Sequence, residues 1–245
     1  MNVWDDPHYK GEKELIEKYP LLMSYPRTGA HWINAVMELY FDRPRLKPVR
    51  ATFLPPWRDD WLWYHDHDIG PEVQLGITHD DVLYLYRNPT ETIYSWIIYN
   101  FNDGRDLFES RTDGLDLALK VEEVSEQYHQ HLLKWLVSDD KARTHVRYEN
   151  FKKDPVPEFK KIREHFKDVT PQVEPFESLE HRAKIAFEIV TPEALTERRT
   201  EDATLSDFMR TQQYKDSRDK FRDLYDRQIT YHVITDELEP FFENE

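Results

Sequence analysis

Two apolar runs of this sequence each lead into a basic residue that stands just before a stretch with helical spacing. Leu21–Tyr25 leads into Arg27, and Val82–Tyr86 leads into Arg87. Where a buried strand gives way to a helix, the first N–H groups of the helix lack partners and the helix dipole favours negative charge. A phosphate or sulfate binds well there, especially beside an arginine. Two such junctions predict a ligand with two anionic ends.

The residues around both junctions are typical of a turn from strand to helix. At the second junction, Asn88 suits an N-cap, Pro89 the first helical position and Glu91 the third, as in a reciprocal capping pattern. At the first, Gly29 permits a backbone bend that a side chain would resist. Apolar residues then recur at helical spacing: Ile33, Val36, Met37 and Tyr40 after the first loop, and Ile93, Trp96, Ile97 and Phe101 after the second.

The loop after the first apolar run contains a sequence motif. Residues 25–32 read Tyr-Pro-Arg-Thr-Gly-Ala-His-Trp. This resembles the Tyr-Pro-Lys-Ser-Gly-Thr-Thr-Trp loop of sulfotransferases that use 3′-phosphoadenosine 5′-phosphosulfate (PAPS). The resemblance implies a cradle for the 5′-phosphosulfate, with Trp32 stacked on the adenine and the cradle formed by Arg27, Thr28, Gly29, Ala30 and His31. Arg27 stands where cytosolic members have lysine, which resembles the Pro-Arg loop of carbohydrate-type members.

Two more blocks follow in the order of that family. Arg87-Asn88-Pro89, with Ser95 eight residues after the arginine, resembles the 3′-phosphate block and implies that Arg87 and Ser95 bind this phosphate. Residues 145–155 resemble the family's Tyr-Glu-Asp-Leu-Lys-Glu-Asp-Pro segment, which places Tyr148 near the adenine. Of the cluster that closes over the 3′-phosphate in the family, only Arg210 is retained.

Each of these assignments has a structural alternative. Trp32 also suits a core position at the start of an apolar helix, and Tyr148 suits a buried strand. Ser95 can cap local backbone, and Arg210 can be a surface charge.

Sulfuryl transfer requires a base, because the acceptor loses a proton as it attacks sulfur, and histidine suits this role near neutral pH. In the family the base commonly sits in a Lys-Thr-His segment at a strand end, and Trp63-Tyr64-His65 occupies the corresponding place. We predict His65 as the base, with His67 as the alternative because it faces the same side of an extended chain. The pair can also be a solvated strand end or bind a metal; no spaced motif supplies further ligands, and we expect no metal.

Length and spacing favour a single α/β domain over residues 1–245, with a central parallel sheet flanked by helices and a mainly helical flank from about residue 174. The resemblance implies that this is a P-loop-like nucleotide-binding fold. A strand is predicted at residues 61–65, a long helix at Asp116–Val137, a strand at Thr144–Tyr148, and a helix capped by Asp154-Pro155. Residues 42–60 form a predicted loop region that could line the acceptor pocket.

The composition limits the classes of partner. With 33 basic and 48 acidic residues the net charge is −15, which opposes a nucleic-acid or anionic-membrane surface. No apolar stretch approaches the roughly 20 residues that span a bilayer, and the first 20 residues are too charged for a signal peptide, so we predict a cytoplasmic protein. Without cysteine the chain has no disulfide, thiolate nucleophile or zinc–thiolate site.

The predicted function is therefore PAPS-dependent sulfuryl transfer to an acceptor hydroxyl or amine by in-line attack, with a small-molecule or carbohydrate acceptor. One alternative, a P-loop kinase or NTPase, requires a Lys-Ser/Thr pair that Arg27-Thr28 does not supply. Another is a protein that binds the nucleotide without turnover. An aromatic acceptor wall could come from Trp57, Trp61, Trp63 and Tyr64. The sequence selects neither the acceptor nor an oligomeric state.

Overall fold

The computed structural model of this chain describes residues 19–45, 62–68, 82–101, 108, 114–137, 143–167, 188–190, 208–209 and 211–243. Its strands are β1 (Leu21–Ser24), β2 (Tyr64–Asp66), β3 (Val82–Tyr86) and β4 (Arg143–Arg147). Its helices are α1 (Ala30–Phe41), α2 (Pro89–Phe101), α3 (Gly114–Leu132), α4 (Tyr148–Lys153), α5 (Pro155–His165), α6 (Gln212–Val233) and α7 (Glu239–Phe242). A π-helical turn, Leu133–Val137, continues α3.

The strands form a parallel sheet in the order β2-β1-β3-β4. Leu22 of β1 lies between His65 of β2 and Leu83 of β3 in the register. Every residue of β1 and β3 is buried, as expected for strands covered on both faces. Because the strands are parallel, their carboxyl ends share one edge of the sheet, where loops of α/β proteins commonly bind ligands.

The described residues divide into two compact units, and the whole sheet belongs to the first, residues 1–86 with 139–198. Its core is rich in aromatic residues: Tyr40 of α1 stacks on Phe159 of α5 with ring centroids 4.5 Å apart. The buried Trp63 indole donates to Asn34 Oδ1 at 2.7 Å, so its N–H is satisfied inside the core. Asp154 caps α5 by accepting from the Val156 N–H at 3.1 Å, which confirms the predicted start.

The second unit, residues 87–138 with 199–245, is helical in its described residues. The predicted cap of α2 is confirmed, since Asn88 Oδ1 accepts from the Glu91 N–H at 3.1 Å. Helix α6 packs against α2 and α3. Phe221 of α6 meets Tyr94 of α2 with ring centroids 5.2 Å apart. His129 of α3 donates through Nδ1 to the Val233 carbonyl at 2.9 Å.

The predicted α/β architecture, a parallel sheet flanked by helices, is confirmed. Three boundaries were wrong. The strand predicted at 61–65 is β2, Tyr64–Asp66; the long helix begins at Gly114 and turns π-helical at Leu133; and β4 ends at Arg147. Tyr148 is therefore the first residue of α4 and not a strand residue. A single domain over residues 1–245 stays a prediction.

Among the described residues, no helix is both long enough and apolar enough to cross a membrane.

Candidate active site

The loop between β1 and α1 is a tight turn with an unusual backbone. The Thr28 hydroxyl donates to the Tyr25 carbonyl at 2.7 Å and thereby closes the loop. Arg27 has φ 70° and Gly29 has φ 93°, so both lie in the left-handed region. Glycine adopts this conformation readily, whereas an arginine there is strained. The loop thus contains a strained arginine, Arg27, and a glycine, Gly29, that the left-handed backbone conformation favours.

The first helical turn of α1 presents backbone N–H groups toward the loop. The first N–H groups bonded within the helix are those of Trp32 and Ile33, which both donate to the Gly29 carbonyl, at 3.0 and 3.1 Å. The N–H groups of Gly29, Ala30 and His31 precede them. No side chain of the described residues caps this helix, and its first turn carries no acid. An uncapped helix N-terminus of this kind favours a bound anion.

An aromatic side chain covers this loop. A Cβ atom at Gly29 would lie 2.4 Å from Cε2 of Tyr148, so the close approach of the ring also requires glycine. The Tyr148 ring meets Trp32 edge to face, with centroids 5.5 Å apart. The Trp32 indole N–H donates to the Val190 carbonyl at 2.7 Å, which fixes the ring. The structure thus brings together three residues that the sequence assigned to one nucleotide site.

The two histidines predicted as base candidates converge on Ser24, the last residue of β1. His65 Nε2 lies 3.1 Å from Ser24 Oγ, and His67 Nδ1 lies 3.2 Å from the same oxygen. His67 Nδ1 is also 2.8 Å from the Ser24 carbonyl oxygen. The two imidazole rings meet edge to face with centroids 4.7 Å apart. A polar cluster thus stands at the carboxyl edge of the sheet, directly before the anion loop.

Asp66, between the histidines, is occupied by local hydrogen bonds. Its Oδ1 accepts from the backbone N–H groups of His67 and Asp68, at 2.6 and 2.9 Å. Its Oδ2 accepts from the Tyr64 hydroxyl at 2.8 Å. The carboxylate therefore holds the turn after β2. Within the described ranges, no group of three His, Cys, Asp or Glu side chains is arranged to hold a metal ion.

Burial favours the neutral form of both imidazoles. Burial lowers the pKa of His65 well below its ordinary value, and the charges of His67, Arg45 and His31 lower it further. Burial also lowers the pKa of His67, but the bond to the Ser24 backbone and the Asp66 carboxylate oppose that shift. A neutral imidazole has a lone pair on one ring nitrogen, so this cluster can accept a proton near neutral pH.

In the second unit, Arg87 is held by its backbone and side chain. The Tyr128 hydroxyl accepts from the Arg87 N–H at 3.1 Å and donates to the Arg87 carbonyl at 2.7 Å. The guanidinium pairs with Glu91 at 3.3 Å, and Glu91 also pairs with Arg222 of α6. Ser95 is buried on α2. The Arg87 guanidinium is thus held beside the Glu91 carboxylate, which it shares with Arg222.

Three residues of the predicted site cannot be placed, and two residues that contact the site were not predicted. Arg210, Trp57 and Trp61 lie outside the described residues. Ser24 carries no signal in the sequence, because only the register of two strands distant in sequence brings it to the histidines. Tyr128 lies in the predicted long helix, and a single aromatic residue there gives no signal that its hydroxyl bonds to the backbone of Arg87.

Comparison with known proteins agrees with this fold. The structure is similar to the crystal structure of mouse sulfotransferase SULT7A1 complexed with PAP, with a TM-score of 0.53 at 14% sequence identity, covering 95% of this chain and 93% of that chain. No curated protein sequence matches. A family model described as the sulfotransferase domain matches residues 78–233, well over half of the chain. This chain therefore belongs to the sulfotransferase domain family.

Proposed function

We propose that this protein transfers the sulfuryl group of PAPS to the hydroxyl, or amine, of a small-molecule or carbohydrate acceptor. One observation carries the proposal: within one unit, two histidines that contact Ser24 stand at the same sheet edge as a helix N-terminus that no described side chain caps. The PAP bound by the mouse sulfotransferase of similar fold supports PAPS as donor. The donor supplies an activated sulfuryl group, and its transfer leaves adenosine 3′,5′-bisphosphate.

The loop residues fit a bound phosphosulfate. A Cβ at position 29 would fill the space under Tyr148, and the N-terminus of α1, which no described side chain caps, offers N–H donors to phosphate oxygens. We assign the 5′-phosphosulfate to these N–H groups and to Arg27, whose fixed charge stabilises the negative charge that develops on the oxygen leaving sulfur. The Thr28 hydroxyl acts by closing the loop, since it donates to the Tyr25 carbonyl.

The second junction is the proposed binding site for the other anionic end of the donor. We assign the 3′-phosphate to Arg87 and Ser95, with Trp32 and Tyr148 beside the adenine. The guanidinium of Arg87 suits bidentate binding of a phosphate, and the two hydrogen bonds with the Tyr128 hydroxyl fix the backbone of Arg87. Arg210 stays a predicted ligand outside the described residues.

A histidine at the end of β2 acts as the general base. As the acceptor oxygen forms its bond to sulfur, its O–H bond breaks and the proton moves to the imidazole lone pair. The bond between sulfur and the bridging oxygen breaks, and its electron pair stays on the 5′-phosphate. The motif position favours His65, with His67 as the alternative.

Calorimetric titration with adenosine 3′,5′-bisphosphate, AMP and ATP tests the donor assignment. We expect clear preference for the bisphosphate, and loss of about tenfold or more in affinity for Arg87→Ala, because a charge-assisted bond to phosphate is lost. Arg163→Ala, on the exposed face of α5, is the matched control and should bind like the unaltered chain.

The same titration separates the alternatives. A preference for ATP with magnesium would contradict the proposal in favour of a kinase or NTPase. Binding of the bisphosphate without transfer from sulfur-labelled PAPS to a phenol, a steroid alcohol or a monosaccharide would favour a non-catalytic binding protein.

A further inference from the structure

Helix α6 contacts the first turn of α2 through two neighbouring pairs of side chains. The hydroxyl of Thr90, which is buried, donates to Asp226 Oδ1 at 2.6 Å. Arg222, one turn before Asp226 on α6, donates to Glu91 Oε1. Phe221, next to Arg222 in sequence, is completely buried. These contacts hold the Arg222 guanidinium beside the start of α2.

The Glu91 carboxylate is divided between two arginines. Its Oε1 accepts from Arg222, and its Oε2 lies 3.3 Å from Arg87 Nη2. A charge-assisted N–H···O bond is commonly about 2.7–2.9 Å long, so the bond to Arg87 is a long one. A carboxylate that already pairs with one cation attracts a second cation less strongly, because the charge of the first offsets its own. Arg222 therefore weakens the hold of Glu91 on Arg87.

The surroundings of Arg222 are acidic. Its Nη1 lies 3.8 Å from Asp219 Oδ1. The hydrogen bond to Glu91 raises the pKa of Arg222 above its ordinary value against the effect of burial, and the charges of Asp219 and Asp226 raise it further. A phosphate at this guanidinium would be repelled by these carboxylates. Arg222 is thus suited to hold Glu91 and poorly suited to bind a phosphate itself.

We propose that Arg222 is a positioning residue for the 3′-phosphate: it pairs with Glu91 so that the Arg87 guanidinium can exchange this carboxylate for the phosphate. The inference rests on the proposed binding of PAPS, in which Arg87 takes the 3′-phosphate. Helix α6 thereby contributes to the preference for a nucleotide that carries a 3′-phosphate, although its own arginine does not contact that group.

Calorimetric titration of the full chain with adenosine 3′,5′-bisphosphate and with AMP tests this role. In Arg222→Ala the whole carboxylate is left to Arg87, so bisphosphate affinity should fall about two- to fivefold at low salt. AMP lacks the 3′-phosphate, and its affinity should stay the same. Arg222→Lys keeps a cation beside Glu91 and should lose less than Arg222→Ala. Equal losses for both nucleotides would indicate a general disturbance of the fold and would overturn the proposal.

A double variant determines whether Arg222 acts through Glu91. Once Glu91→Gln has removed the carboxylate charge, Arg222→Ala should have no further effect, so the double variant should bind the bisphosphate like Glu91→Gln alone. An arginine that bound the phosphate directly would instead lower the affinity by the same factor with either residue at position 91. That additive result would contradict the positioning role.

The matched control is Arg227→Ala, which removes the same charge from an exposed position of α6 and should leave both affinities unchanged. A loss equal to that of Arg222→Ala would reduce the effect to net charge and refute the role of Arg222. The proposed function fails separately, if the unaltered chain does not prefer the bisphosphate to AMP or if Arg87→Ala binds it as tightly. A preference that depends on Arg87 but not on Arg222 would refute only the role of Arg222.

Discussion

The two strand-to-helix junctions of this chain present positive charge in different ways. After β1, the helix start is uncapped by any described side chain, lacks an acid in its first turn, and follows a loop with two residues at positive φ. After β3, Asn88 caps α2 and Glu91 occupies its first turn. The first junction offers backbone N–H groups and the second offers the guanidinium of Arg87.

This difference has a physical reason. A helix end whose N–H groups serve a ligand must lack an internal cap, and that loss lowers the stability of the helix start. A junction that binds through a side chain can keep its cap, because the guanidinium supplies the charge. The first loop therefore carries strain at Arg27, whereas at the second Tyr128 and Asn88 stabilise the backbone.

The largest effect is expected at Gly29. In Gly29→Ala the new Cβ would meet the Tyr148 ring at 2.4 Å while the backbone stays at φ 93°. The strained backbone alone costs about 1–3 kcal/mol, and displacement of the ring adds to this. We expect urea denaturation to show a loss of roughly 2 kcal/mol or more, and bisphosphate binding to weaken at least about tenfold.

A double variant separates the two terms. Gly29→Ala combined with Tyr148→Ala removes the collision and leaves the backbone strain, so it should be more stable than the sum of the single changes predicts. Additive losses would contradict the contact between Gly29 and the ring.

The next effect is at Arg27, where stability and binding should change in opposite directions. Arg27→Gly relieves the residue at φ 70° but removes its charge. We expect the free energy of unfolding to rise by up to about 1 kcal/mol, while bisphosphate affinity falls about tenfold. Arg27→Lys keeps both strain and charge and should resemble the unaltered chain in stability. A destabilised Arg27→Gly would show that the conformation is not strained.

At the second junction the cap should contribute to stability alone. Asn88→Ala removes the acceptor of the Glu91 N–H and should lower the free energy of unfolding by about 1 kcal/mol in a urea titration. Asn88→Asp retains an acceptor and serves as the control. Bisphosphate affinity that drops as far as in Arg87→Ala would contradict the separation of cap and ligand at this junction.

Local features made the fold predictable. The apolar runs of β1 and β3, the Asn88 cap and the Asp154-Pro155 start all depend on neighbours in sequence, and each is present. The limits of β2 were not predictable in this way. Pairing begins where Tyr64 meets Leu21, a partner more than 40 residues away in sequence. Leu62 and Trp63, although apolar, therefore lie before the start of the strand.

The same division applies to the site. The need for glycine at position 29 follows from the tight turn, but the ring of Tyr148 above it comes from a distant helix. Both histidines were found from the chemistry that a base requires, whereas their contact with Ser24 depends on the pairing of β1 with β2. A motif gives the type of residue at a site, and the register of the sheet decides which side chains that residue contacts.

The smallest effect tests the shared carboxylate at the second junction. Glu91 holds Arg87 at 3.3 Å and also pairs with Arg222, so a phosphate bound by Arg87 must compete with this carboxylate. Glu91→Gln keeps the backbone N–H that Asn88 caps and removes the charge. We expect bisphosphate affinity to rise about two- to fivefold at low salt and less at high salt, because partly exposed pairs are weak and screened.

The combination of Glu91→Gln with Arg87→Ala is the control for that prediction. The Glu91 carboxylate and the phosphate compete for the Arg87 guanidinium, so the change at Glu91 should have no further effect once that guanidinium is gone. If Glu91→Gln alone weakens binding, the carboxylate orients Arg87 toward the phosphate instead of competing with it. The second junction would then resemble the first, because its charge too would depend on a conformation that the loop itself imposes.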